Sequence, residues 1–255
     1  MNTRIAAIAR YTLLEALRTR LPALALVALA VLFLGGIFVE QIAITEGVRF
    51  RTGFYAAGAR WVCVFIIAFH VLSAVAREFN DKVLDVLLAL DLPRAHYLLG
   101  RLAGFVATGA LLAGAACLPL LWSAPAPALL QWAMSLAFEL AIVAALALFC
   151  IVTFNQLMPA AAFVVAFYLL ARVLTAMRLI AANPIAGSDT SHYVIKLVLD
   201  GLAYLLPAID GWTQTAWLVN QRAAWTDLGE IAVQGALYVL LLAGAAMFDL
   251  YRKNF

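Results

Sequence analysis

Charged side chains are scarce in this sequence. Only 12% of the 255 residues are Asp, Glu, Lys or Arg, whereas soluble domains carry about 25%. Hydrophobic residues make up 66% of the chain, and the mean hydropathy is +1.00. This composition excludes a large soluble domain at either end. The small net charge of +3 gives no reason to expect a nucleic-acid partner.

Sequence motifs for catalysis, metal binding and nucleotide binding are also missing. Cys63, Cys117 and Cys150 lie inside apolar runs without metal-ligand spacing, so we expect them to pack as small apolar residues. Three histidines are too few for a haem or metal cluster. The chain contains no H-E-x-x-H, G-x-S-x-G or P-loop motif. We therefore expect neither enzymatic activity nor a bound cofactor in this chain.

Long apolar runs are what the sequence does contain. Six of them approach the ~20 residues that a helix needs to cross a bilayer. They predict an all-α polytopic membrane protein, organised as one transmembrane domain over residues 1–255. The predicted spans are 22–42, 57–76, 97–121, 129–153, 159–181 and 231–250.

Basic residues predict the orientation of these spans. With six crossings, the N-terminal segment, the loop after the second span and the C-terminus lie on one side. They hold ten of the 17 basic residues, which predicts that this side is cytoplasmic. Both termini would then be cytoplasmic. The ten residues are Arg4, Arg10, Arg18, Arg20, Arg77, Lys82, Arg94, Arg101, Arg252 and Lys253.

Two segments outside the spans have helical, amphipathic patterns. Residues 1–21 place Ile5, Ile8, Leu13 and Leu17 at helical spacing, which predicts a helix lying in the membrane interface. An ordinary basic flank that only sets the topology is the alternative. The segment 182–230 predicts one or two half-inserted or interfacial helices on the outer face. A seventh crossing over 192–207 is disfavoured because that stretch is short and carries two charges.

Several ionisable residues lie within the predicted spans, where they are costly and usually face the protein interior. Glu139 and Arg172 lie at nearly equal distances from the turn between spans four and five, so we predict an ion pair between them. The pair would fix helix register or line a substrate path. His70 is either a packing residue or a proton-relay group. Glu40 and Arg60 either pair with each other across the first loop or face lipid headgroups.

The loop 77–96 holds the densest patch of charge. Glu78, Asp81 and Asp85 share one face of a predicted helix, and Glu78 with Lys82 is a favourable i, i+4 pair. The opposite stripe consists of Leu84, Leu87 and Leu88, and the helix ends before Pro93 and Arg94. Gly100 and Gly104 then form a G-x-x-x-G step that permits close helix packing.

This layout resembles the permeases of ABC-2 type transporters, the membrane domains of a class of ATP-driven exporters. The resemblance rests on the six spans, the N-terminal helix and the loop motif. The motif residues are Arg77-Glu78, Leu84, the pair Leu87-Leu88, Pro93-Arg94 and the step Leu98-Leu99-Gly100-Arg101. The chain departs from the family pattern in having Lys82-Val83 before the first leucine and in placing Pro93 directly before Arg94.

The resemblance implies a permease subunit in a bacterial cytoplasmic membrane, with no catalysis of its own. Two copies of a separate ATPase subunit would bind ATP and Mg²⁺, and a second permease, identical or related, would complete the unit. The ATPase would grip a coupling helix in the loop through Glu78, Asp81, Lys82, Leu84, Asp85, Leu87, Leu88, Pro93 and Arg94. The few polar residues in the spans favour a lipidic or amphipathic substrate. A channel-like or structural subunit without an ATPase is the alternative.

Overall fold

The computed structural model describes residues 2–81, 93–182, 190–220 and 225–252. This part of the chain contains nine α-helices and no β-strand. Two short 3-10 helices, Leu118–Trp122 and Ile209–Gly211, join them. In chain order the α-helices are α1 (Asn2–Arg18), α2 (Leu21–Ile42), α3 (Gly47–Asn80), α4 (Arg94–Cys117), α5 (Ala126–Phe154), α6 (Leu157–Ala182), α7 (Thr190–Leu205), α8 (Thr215–Val219) and α9 (Trp225–Arg252).

Six of these helices, α2 to α6 and α9, are long and apolar enough to cross a membrane. The prediction of an all-α polytopic membrane protein with six spans is therefore confirmed. The largest difference from the predicted boundaries is in α3, which begins at Gly47, ten residues before the predicted start. The first turns of α3 lie in the segment predicted to be a loop between the first two spans. A loop was predicted there because Arg49 and Arg51 interrupt the hydrophobic run.

Helix α5 forms the centre of the bundle. It is apolar on all sides and contacts α3, α4, α6, α8 and α9, which is the pattern of a fully enclosed helix. Cys150 is completely buried on it, and Cys63 and Cys117 are buried on neighbouring helices. Helix α2 is the opposite case, because most of its large apolar side chains are exposed.

Helix α1 packs lengthwise along the first half of α4. A Cβ atom on Gly100 would lie 2.7 Å from the Cβ of Ile8, and one on Gly104 would lie 2.5 Å from the Cβ of Thr12. Only glycine permits this approach, so the G-x-x-x-G step is the seam between the two helices. The side of α1 that faces α4 carries Ile8, Thr12 and Ala16, and Leu17 of the predicted apolar stripe is 48% exposed.

Among the described residues between α6 and α9, no helix is long and apolar enough for a seventh crossing. Helix α7 runs back along α6, where the Arg178 Nη2 and Asp200 Oδ1 atoms lie 2.8 Å apart. The chain then turns at residues 206–214 and returns through α8, whose Val219 lies 3.8 Å from a Cβ placed on Gly53. The turn thus enters the bundle from the end where α2 stops and α3 starts. We call residues 209–213 the re-entrant turn.

The glycine seam generates the first prediction. Gly104→Ala should destabilise the protein by about 2 kcal/mol, the usual cost of overpacking, because its Cβ would also lie 2.9 Å from the carbonyl oxygen of Ala9. Gly114→Ala is the matched control, since nothing lies within 4 Å of a Cβ at that position of the same helix. Thermal unfolding of both variants in detergent measures the difference. Equal stability of the two variants would contradict the seam.

Candidate functional site

A buried arginine joins three helices at the end of the bundle where α3 stops and α4 starts. The Arg101 side chain is 2% exposed. Its Nη1 atom donates to Glu15 Oε2 at 2.8 Å and to Thr12 Oγ1 at 3.1 Å. Its Nε and Nη2 atoms contact the carboxylate of Glu78, which also accepts a hydrogen bond from the hydroxyl of Tyr97. These five residues form the Arg101 cluster.

The Arg101 cluster fixes the two ends of the 82–92 segment relative to each other. Glu78 lies in the last turn of α3, and Tyr97 and Arg101 lie in the first turns of α4. Glu15 connects both to α1. A planar guanidinium can bond several oxygen atoms at once, which suits it to this three-way junction. The cluster therefore links α1, α3 and α4 at this end of the bundle.

Beside the Arg101 cluster lies a cleft of about 590 Å³ between α1, α3 and α4. Asp81, which was predicted to meet a partner, is exposed at its edge. Pro93 is also exposed, and it precedes the first residue of α4. The cleft therefore reaches Asp81, at the C-terminal end of α3.

Two other residues predicted to face the partner make contacts within the chain. Arg94 Nη1 donates to the carbonyl oxygen of Leu250 at 2.8 Å and so binds the C-terminal end of α9. Glu78 belongs to the Arg101 cluster and its side chain is only 16% exposed. The predicted contact residues Lys82, Leu84, Asp85, Leu87 and Leu88 lie outside the described residues.

A second polar cluster lies near the middle of α5. Glu139 is completely buried, and its carboxylate accepts hydrogen bonds from the hydroxyls of Tyr168, at 2.6 Å, and Thr213. Arg172 Nη1 lies 3.9 Å from Glu139 Oε1, so the structure brings the predicted pair together. Arg172 Nη1 makes shorter contacts with the carbonyl oxygens of Ile209, at 2.6 Å, and Trp212, at 3.1 Å.

Arg60 and Ser135 complete this cluster. Arg60 Nη1 donates to the carbonyl oxygen of Thr213 at 3.2 Å, and the backbone N–H of Thr213 donates to Ser135 Oγ at 2.9 Å. We call Arg60, Ser135, Glu139, Tyr168, Arg172 and Thr213 the Glu139 network. Two arginines thus bond the backbone of the re-entrant turn, and one carboxylate bonds the side chain of Thr213.

The Glu139 network holds the re-entrant turn inside the helical bundle. Irregular backbone is tolerated there only where its polar groups are satisfied by protein, and three carbonyl groups of the turn bond to Arg60 or Arg172. Thr213 has φ of 50°, a left-handed conformation that is unusual for a β-branched residue. Such a conformation persists where its surroundings impose it, and here Ser135 binds the N–H of Thr213, Glu139 its hydroxyl and Arg60 its carbonyl oxygen.

The suggested pairing of Glu40 with Arg60 is wrong. The alternative, that both residues only face lipid headgroups, is also wrong, because each of them bonds another group of the chain. Glu40 Oε2 pairs with Arg51 Nη1 at 2.6 Å, because the early start of α3 brings Arg51 opposite the end of α2. Arg60 points into the bundle and is 8% exposed. His70 is also 8% exposed and packs its ring edge-to-face against Phe105, with centroids 5.7 Å apart.

Metal-binding geometry is not found in the described ranges, which bring no three His, Cys, Asp or Glu side chains together around a common point. Comparison with known proteins adds no assignment. No protein-family model matches the chain, and a search of curated proteins gives no match either. The two polar clusters are therefore the candidate functional sites on structural grounds alone.

Most members of the two clusters were not predicted. Thr12, Tyr97, Ser135, Tyr168 and Thr213 are ordinary residues for their positions, and no periodic pattern distinguishes them. Arg60 did carry a signal, because an arginine inside an apolar run usually faces the protein interior. Glu15 carried another, since it is the only acidic residue of α1.

The Glu139 network generates the second prediction. Glu139→Gln and Arg172→Gln should each destabilise the protein by about 3 kcal/mol, because removing one partner leaves a buried charge without compensation. The double variant should lose clearly less than the sum of the two. Thermal or denaturant unfolding of all four proteins in detergent completes the cycle. Strict additivity would show that the two side chains act independently.

The Arg101 cluster generates the third prediction. Arg101→Lys retains the charge but cannot bond Glu15, Thr12 and Glu78 together, so we expect a loss of about 2 kcal/mol. Arg49→Lys is the control, because Arg49 pairs with Glu46 at an exposed position and such pairs contribute less than about 1 kcal/mol. Unfolding measurements compare the two. Equal losses would mean that the multiple bonds of Arg101 add nothing.

Proposed function

We propose that this protein is the permease subunit of an ATP-driven exporter of the ABC-2 type, in the cytoplasmic membrane of a bacterium. The observation that carries the proposal is the Arg101 cluster. It ties the two ends of the 82–92 segment to α1, at the position where the sequence motif of these permeases places a coupling helix. A partner that moved the segment would move three helices with it.

The end of the bundle that holds the Arg101 cluster would face the cytoplasm, together with both chain termini. The excess of Lys and Arg in the connecting segments supports this orientation. A separate ATPase, in two copies, would bind ATP and Mg²⁺ and contact the 82–92 segment and the exposed Asp81. This chain would itself catalyse no reaction, and a second permease would complete the unit.

The Glu139 network would act at the end of the transport path opposite the Arg101 cluster. The re-entrant turn closes the bundle from that end, where its hydrogen bonds with Arg60, Arg172 and Glu139 add to the burial of Ile209 and Trp212. We propose that these hydrogen bonds break and re-form when the helices shift. In the proposed cycle, ATP-driven motion of α3 displaces Arg60 and so releases the turn.

The composition of the bundle supports a lipidic or amphipathic substrate. Apart from the Glu139 network, the buried centre consists almost entirely of apolar side chains. Sugars and ions need hydrogen-bonding or charged groups along their path. A substrate with a large apolar portion needs few of them.

Copurification with an ATPase tests the proposal. The chain is expressed with the ATPase subunits encoded next to it, as wild type and as Asp81→Arg/Asp85→Arg/Leu88→Asp. We expect an ATPase to copurify with the wild type and to be lost from the folded variant. Asp227→Arg/Glu230→Arg is the control, because it makes a similar charge change at the other end of the bundle, where both residues are exposed.

Either of two results would contradict the proposal. The first is that no ATPase associates with the wild type. The second is that the 81/85/88 variant retains the ATPase as well as the control does. Both results would favour a channel-like or structural subunit, which needs no coupling segment.

A further inference from the structure

A groove of about 560 Å³ lies on the side of the bundle between the start of α2, the second half of α3 and the start of α6. Its walls are apolar at one end and polar at the other. The apolar lining comprises Leu21, Leu24, Phe65, Ile66, Phe69 and Leu157. The polar lining comprises Thr19, His70, Ser73 and Arg77.

The groove exists because α2 and α3 pack closely only over part of their length. In the half nearer the α2–α3 turn, a Cβ on Gly58 would lie 2.8 Å from Leu32, and one on Gly36 would lie 3.1 Å from Arg51. Toward the start of α2 the facing residues are large, with Leu24 opposite phenylalanines of α3. The helices cannot meet as closely there, and the space between them opens sideways.

The register of the two helices gives the depth of each residue in the groove. Leu32 faces Gly58, and Glu40 pairs with Arg51, so the first residue of α2 lies level with His70. Phe65 and Phe69 then lie on the membrane side of this level. Ser73 and Arg77 lie beyond it, about 5 and 10 Å further along α3 at ~1.5 Å per residue. The headgroup layer of a bilayer occupies this narrow zone outside the hydrocarbon.

The polar groups at the headgroup end have bonding capacity to spare. Arg77 is 61% exposed, and its contact with Glu15 is 3.8 Å, because Glu15 is already held by Arg101 at 2.8 Å. His70 is more than nine-tenths buried, yet its Nε2 atom makes no hydrogen bond. The His70 ring forms part of the groove wall.

We infer that the groove binds one anionic phospholipid, with its phosphate at Arg77 and the first part of an acyl chain between α2 and α3. Arginine binds phosphate oxygens well. The ester carbonyls of the phospholipid, just below its phosphate, would lie at the level of His70, which lines the groove. Phe65, Phe69 and Leu24 then line the acyl chain. The inference does not rest on the proposed ATPase partner.

Lipid retention by the full-length protein in detergent tests the inference. The purified protein is delipidated, incubated with phosphatidylglycerol or phosphatidylcholine, and examined by native mass spectrometry. We expect one molecule of phosphatidylglycerol to be retained in preference to phosphatidylcholine. Arg77→Gln should weaken phosphatidylglycerol binding about fivefold, since a basic residue near an anionic lipid contributes about 1 kcal/mol.

Two further variants make the test specific. Ser73→Phe should abolish retention while leaving Arg77 in place, because Ser73 is exposed in the groove and a phenyl ring there fills it without entering the core. Arg252→Gln is the matched control. It removes a similarly exposed arginine at the same end of the bundle but on α9, where the guanidinium stacks on Phe248, so retention should match the wild type.

Three results would overturn the inference. One is equal retention of phosphatidylglycerol and phosphatidylcholine, which would indicate general annular lipid. Another is unchanged retention in both the Arg77 and the Ser73 variants. The third is displacement of phosphatidylglycerol by inorganic phosphate, which would indicate an anion site that makes no use of the apolar groove.

Discussion

Two arginines, Arg60 and Arg172, hold the re-entrant turn in place, and the end of the bundle where α2 stops and α3 starts depends on this interaction. A chain that returns into a membrane protein without crossing exposes backbone groups that lipid cannot satisfy. Arg172 takes the carbonyl oxygens of Ile209 and Trp212, and Arg60 takes that of Thr213. Glu139 offsets part of their charge and bonds the Thr213 hydroxyl. Helices α3, α5 and α6 therefore converge on one turn.

At the other end of the bundle, charged side chains again join several helices, but one arginine meets two carboxylates instead of two arginines meeting one. There one buried arginine, Arg101, is shared by two carboxylates from different helices, Glu15 and Glu78. Helix α3 is common to both ends, because it carries Arg60 in its first half and Glu78 in its last turn. A single rigid helix thus links the segment proposed to meet an ATPase with the turn that closes the far end. In the proposed transport cycle, α3 would transmit motion from one end of the bundle to the other.

Much of the fold could be predicted from hydrophobic length and spacing. The six spans follow from the apolar runs, the Gly100–Gly104 seam from small residues at helical spacing, and the nearness of Glu139 and Arg172 from their equal distance to one turn. The rest depends on tertiary contacts that no local pattern encodes. Thr213 bonds Arg60 across 153 positions of sequence, and Arg94 reaches Leu250 across 156. Glu78 was predicted to face a partner, but its contact with Arg101 was not predicted because Arg101 lies beyond the loop.

Hydrogen–deuterium exchange of residues 209–213 tests the seating of the re-entrant turn most directly. In the wild-type protein the amides of Gly211, Trp212 and Thr213 are hydrogen-bonded, so they should exchange far more slowly than the exposed turn at residues 43–46. In Arg172→Gln the same amides should lose most of that protection while the Arg101 cluster keeps its own. Exchange at 209–213 that is as fast as at 43–46 in the wild type, or unchanged in the variant, would contradict the account.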